Sequence, residues 1–143
     1  MADGSKRKYT IVLVDDEADI LNSFQEFLES SIPDVAVKTA SSGKEALPLL
    51  KQGPVDLIIS DYKMPGMDGI TFLKHAEEIH PHTPKVLLTA FPKLDLAIEA
   101  INEVQVSKFL TKPIPPDKML SIVRTLLKIP NPPAPASPGR GLR

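Results

Sequence analysis

Residues Val55–Gly69 read VDLIISDYKMPGMDG, and this stretch decides the fold. A short β-branched run, VDLIIS, ends on Asp61 and reads as a strand with an acid at its carboxyl end. Pro65 and Gly66 then supply a turn, and Asp68 or Gly69 can open a helix that carries Ile70 and Leu73 inward. Strand, acid, turn and helix thus follow within one short segment.

The same order recurs outward along the chain. TIVLV (Thr10–Val14) runs into Asp15 and Asp16, KVLL (Lys85–Leu88) into Thr89, and KFLT (Lys108–Thr111) into Lys112. With Val35–Thr39 these runs predict five strands, near Tyr9–Val14, Val35–Thr39, Val55–Ser60, Lys85–Thr89 and Lys108–Thr111. Between them lie apolar residues at helical spacing: Ile20, Leu21, Phe24, Phe27 and Leu28; Ile70, Leu73 and Ala76; Leu94, Ala97, Ile98 and Ile101. A last helix is predicted from about Asp117 to Lys128, with Leu120, Val123, Leu126 and Leu127 facing inward. A helix around Gly43–Lys51 contains Pro48, which removes a backbone donor and should bend or shorten it. Such β/α alternation implies a parallel sheet covered on both faces.

The bulk numbers fit one such domain. The chain has 143 residues, 42% of them hydrophobic, enough for a single core. It has no cysteine, which excludes disulfides and thiolate metal sites and suits a reducing, cytoplasmic setting. Seventeen basic residues balance 18 acidic ones, so composition does not favour nucleic acid. No run approaches the roughly 20 apolar residues of a membrane helix, and the apolar run behind Lys6, Arg7 and Lys8 is too short for a signal-peptide core. The domain is expected over 8–128. Residues 129–143 hold five prolines and almost no large apolar side chain, the composition of a flexible tail or linker. Their PxxP spacing could serve a proline-binding partner, though a plain spacer accounts for it as well.

In an open α/β sheet, ligands bind beyond the carboxyl ends of the strands. Asp15, Asp16, Asp61, Thr89 and Lys112 would converge there. Crowded carboxylates repel unless a cation neutralises them, and an all-oxygen set with room for water and phosphate favours Mg²⁺. An aspartate can also accept a phosphoryl group as an acyl phosphate, helped by positive charge on the equatorial oxygens. Taken singly, each position has a plainer account: aspartates cap helices, threonine is common in strands, and lysine is usually a solvated surface residue. Four of the five strand ends bearing these groups in order are harder to assign to chance.

The segments IVLVDDE (Ile11–Glu17), DLIISDYKMPGMDG (Asp56–Gly69), VLLTA (Val86–Ala90) and KFLTKP (Lys108–Pro113) resemble a receiver domain of a two-component response regulator, of the kind typified by the chemotaxis response regulator. The resemblance spans nearly all of 8–128. It implies a flavodoxin-like, doubly wound (βα)5 fold with strand order 2-1-3-4-5. It also implies that Asp61 is the phosphoacceptor, that Asp15, Asp16, Asp61 and the Lys63 carbonyl ligate Mg²⁺, and that Thr89 and Lys112 contact phosphate. Phe109 matches the switch aromatic, and the Lys112–Pro113 bond should be cis. The partners implied are a sensor histidine kinase or histidine phosphotransfer protein and a downstream output protein or domain, and a phosphorylation-dependent dimer is compatible with this. Such a protein catalyses only its own phosphorylation and dephosphorylation.

Two other readings compete. The chain could be the receiver segment of a hybrid kinase or of a larger output-domain regulator. A phosphohydrolase of the haloacid dehalogenase type would need its nucleophile at the first strand and a second aspartate two residues on, where Glu17 stands, and would leave Asp61 unexplained. Phe91-Pro92 should stiffen the loop after Thr89. His75, His80 and His82 lack acidic partners at useful spacing and read as surface residues.

Overall fold

The computed structural model describes residues 9–90 and 93–130. The strands are β1 (Tyr9–Val14), β2 (Val35–Ala40), β3 (Leu57–Asp61), β4 (Lys85–Thr89) and β5 (Lys108–Thr111). The helices are α1 (Ala18–Ser31), α2 (Gly43–Leu50), α3 (Gly69–Ile79), α4 (Leu94–Val104) and α5 (Pro116–Leu127). All four strand pairings are parallel and the order is β2-β1-β3-β4-β5. The fold is therefore the flavodoxin-like doubly wound (βα)5 sheet expected from the motifs.

Strand residues alternate between the two faces, as a period of two requires. Ile11, Leu13, Leu57, Ile59, Val86 and Leu88 pack with Leu21 and Leu28 of α1 and Met119, Val123 and Leu127 of α5. Val12, Val14, Ile58 and Leu87 pack on the other face with α2, α3 and α4, where Phe72 is fully buried. Each wholly buried Leu, Ile or Phe contributes about 1.5–3 kcal/mol relative to exposure. Two filled cores clamp the sheet between helices, and its carboxyl rim becomes a fixed platform.

Several expectations need correction. Strand β3 runs Leu57–Asp61, starting two residues later and ending one residue later than the apolar run suggested. Ile98 and Ile101 do not face the core: they are 48% and 54% exposed, while Ala100 and Val104 are buried in their place. Ala100 and Val104 join the core on the α2/α3/α4 side of the sheet, so the isoleucines on the opposite stripe of α4 lie on the outer face. In α5, Met119 is fully buried, whereas Leu120 and Leu126 are only partly buried against the core. His80 is half-buried, its Nε2 2.6 Å from the Leu50 carbonyl oxygen, so it ties the end of α3 to α2. Pro48 lies inside α2, which ends two residues later. Packing continues to Ile129, which lies against the α1/α5 core. The Phe91-Pro92 loop and the proline-rich tail from Asn131 on lie outside the described residues.

Candidate functional site

Strand β1 ends at Val14, and Asp15 follows with its N–H donated to the Ala40 carbonyl oxygen, 3.1 Å. This bond extends the β1–β2 ladder by one residue and fixes where the Asp15 carboxylate emerges. Its Oδ1 accepts from the Glu17 N–H at 2.9 Å, and the side chain is 1% exposed. Asp16 is exposed. Asp61, the last residue of β3, is 6% exposed.

The turn after Asp61 doubles back tightly. The Gly69 N–H donates to the Tyr62 carbonyl at 2.7 Å. A Cβ on Gly69 would press on the Asp61 carbonyl oxygen and come within 2.8 Å of Tyr62 Cα, so α3 starts against the strand end only because this residue is glycine. Gly66 has φ +82°, the left-handed turn position, and Asp68 caps α3 by accepting from the Thr71 N–H at 2.8 Å.

Lys112 reaches in from the end of β5. Its Nζ donates to Asp15 Oδ2 at 2.9 Å and Asp61 Oδ2 at 3.3 Å, and also to Glu17 Oε1 at 3.4 Å. The Lys112–Pro113 peptide is cis. Thr89, 2% exposed at the end of β4, lines the same cleft of about 470 Å³ together with Asp16, Asp61, Lys63 and Lys112. Phe109 on β5 is half-buried against the α2/α3/α4 core.

Electrostatics follow from this crowding. Burial, then the neighbouring Asp15 charge, raise the Asp61 proton affinity; the Lys112 ammonium opposes them without cancelling them. Burial alone would lower the Lys112 value, but its bond to Asp15 and the charges of Asp15 and Asp61 outweigh it and raise the value. The amine therefore stays protonated. Carboxylate oxygens of Asp15, Asp16 and Asp61 all lie within 4.8 Å of one another. Three hard anionic donors at this spacing, one of them exposed, fit a small divalent cation that keeps part of its water shell.

The structure thus gathers Asp15, Asp61 and Lys112 by direct contact and places Asp16, Lys63 and Thr89 around the same cleft. Phe109 lies one strand away from it. Sequence reasoning missed Glu17, whose side chain faces Lys112. The signal was present as a third acid directly after Asp15-Asp16, but no local rule says which of three consecutive acids turns toward a lysine 95 residues away.

A doubly wound α/β domain with a carboxylate cluster and an inward-reaching lysine at its carboxyl rim is the class that fold and site define. The family model "Response regulator receiver domain" matches residues 11–124. The response regulator protein PilR of Pseudomonas aeruginosa is 35% identical over 129 residues, 89% of this chain and 28% of that protein. The DNA-binding transcriptional regulator NtrC of Klebsiella pneumoniae is 32% identical over 111 residues, 78% of this chain and 23% of its own length. Among solved structures, the signal receiver domain of an HD domain-containing protein from Pseudomonas fluorescens Pf-5 superposes with TM-score 0.79 at 36% identity, covering 85% of this chain and 96% of that one. The chain belongs to the response regulator receiver domain family, and it spans about a quarter of the length of these curated relatives. Among the described residues, no helix is long and apolar enough to cross a membrane.

Proposed function

We propose that Asp61 accepts a phosphoryl group from a histidine kinase or histidine phosphotransfer protein in a Mg²⁺-dependent reaction, and that the modified domain signals to an output domain or protein in the cytoplasm. The observation that supports this best is the ammonium of Lys112 held between Asp61 and Asp15 at the strand ends.

An ionised Asp61 oxygen attacks phosphorus, the bond from phosphorus to the donor's imidazole nitrogen breaks, and the electron pair leaves with the donor. Lys112, kept charged by the acids around it, offsets one equatorial oxygen of the transferring group. The Thr89 hydroxyl, lining the same cleft, would donate to another. A bound Mg²⁺, held by Asp15, Asp16, Asp61 and the Lys63 carbonyl, would supply the remaining positive charge. Because the Asp61 proton affinity is raised, lowering the repulsion from Asp15 also favours the ionised nucleophile. The domain carrying this function is the expected 8–128 extended by the packed Ile129, with the proline-rich residues after it acting as a tail or linker to the output.

The test is incubation with acetyl phosphate. Mass spectrometry should show one added phosphoryl group with Mg²⁺ present and none in excess chelator. Asp61→Asn should abolish it. Full labelling of that variant would assign the nucleophile elsewhere, Asp15 included, and would revive the phosphohydrolase reading.

A further inference from the structure

Lys112 faces three carboxylates, and only two of them belong to the proposed cation site. We propose that Glu17 is a positioning residue for Lys112: it holds the ammonium beside the cleft when Asp15 and Asp61 turn their oxygens to a divalent cation. This rests on the reading of Asp15, Asp16 and Asp61 as the cation's ligands.

Asp15 Oδ1 is tied back to the Glu17 N–H at 2.9 Å, and Oδ2 is the oxygen turned toward Lys112 and the cleft. That oxygen is the one Lys112 Nζ holds, at 2.9 Å. A divalent cation and an ammonium on one oxygen repel strongly at such range. The nearest alternative for Lys112 is Asp61 Oδ2 at 3.3 Å, which belongs to the same site. Glu17 Oε1, at 3.4 Å, is the third carboxylate the amine reaches. It lies at the mouth of the cleft, 61% exposed, with freedom to follow the amine as it shifts. Exposed ion pairs of this kind add little to stability. Here the effect is on competition: a carboxylate outside the ligand set lets Lys112 leave Asp15 without leaving the pocket. The same residue steadies Asp15 through its main chain and draws off the amine through its side chain.

Glu17 is also the residue before α1 and makes no side-chain cap bond to that helix, so its replacement leaves the element intact. The experiment is a double-mutant cycle read by Mg²⁺ titration, following amide shifts of Asp15 and Asp61 by NMR, with no phosphodonor present. Glu17→Gln should weaken Mg²⁺ binding severalfold when Lys112 is present and have much less effect in the Lys112→Ala background. Equal weakening in both backgrounds would mean that Glu17 acts only as a distant charge on the cation, and would overturn the proposal. Unchanged binding in both backgrounds would overturn it too. If the parent chain shows no Mg²⁺-dependent shift at all, the cation site itself fails and the role of Glu17 falls with it, a result distinct from the other two. Thermal melts confirm that each variant is folded.

Discussion

Asp61, the proposed nucleophile, is a carboxyl that the fold holds at some cost. A carboxyl whose proton affinity is raised on folding contributes stability at pH below its ordinary value, and that contribution is lost as pH rises through the raised value. At neutral pH its ionised form therefore opposes folding. Asp61→Asn should melt higher than the parent at pH 7 without divalent cation, and the difference should shrink toward zero below about pH 4, where an unperturbed aspartate protonates. Thermal melts across this range check it; a variant less stable at pH 7 would contradict the stated balance of burial and repulsion over Lys112. Lys112→Ala carries the opposite sign for metal. A unit and a double charge about 4 Å apart repel by about 2 kcal/mol even in water-like dielectric. Removing the amine should tighten Mg²⁺ binding, as calorimetry would show, while impairing the response to phosphorylation; a sharp loss of Mg²⁺ affinity would contradict the role given to the amine.

Elements reach the site by devices that differ from one edge of the sheet to the other. On the outer edge strand β2, the Val37 N–H donates to Glu29 Oε2 and the Val37 carbonyl accepts from Gln25 Nε2, both at 2.8 Å. Two side chains one turn apart on α1 thus seat that helix against β2 and satisfy edge groups that would otherwise be open. At the other side, α4 ends at Val104 and is capped by Gln105, a non-glycine residue with φ +50°. Its side chain is exposed, so the left-handed backbone gains nothing from it. Gln105→Gly should stabilise the chain by about 1 kcal/mol, because glycine carries no Cβ penalty there. A rise of a few degrees in Tm is the expected reading; a fall would show that the glutamine contributes a contact.

At the scale of the molecule, the proposed switch links the cleft to the α4–β5–α5 side through Thr89 and Phe109. Phosphate on Asp61 would offer the Thr89 hydroxyl a charged acceptor and draw it toward the cleft. Phe109, half-buried one strand away, could then bury more of its ring, which is worth at most about 2–3 kcal/mol. Full reversal of a two-state equilibrium from 1:99 needs about 5.5 kcal/mol, so the response should be a population shift. Thr89→Ala should still accept phosphate on Asp61 but show smaller NMR changes on α4, β5 and α5 when beryllium fluoride and Mg²⁺ stand in for the phosphoryl group. An undiminished response would remove Thr89 from the coupling.

What the sequence determined by itself was the set of elements and the chemistry at their ends. Strand period, turn residues and the acids after apolar runs are local properties, so Asp15, Asp16, Asp61, Thr89 and Lys112 are legible in the chain of residues alone. Gly69 is legible as a helix start, but not as the residue whose missing Cβ lets α3 close over Asp61. Tertiary structure alone decided the rest. Lys112 meets Asp61 across 51 residues and Asp15 across 97, separations over which no local pattern carries information. The outward face of α4 is illegible for a related reason. Helical spacing marks more than one apolar stripe on that helix, and only the packing of Ala100 and Val104 into the core selects which one is buried. Glu17 joins the cluster the same way, because the end of β5 comes to lie beside the start of α1 only once the sheet is assembled.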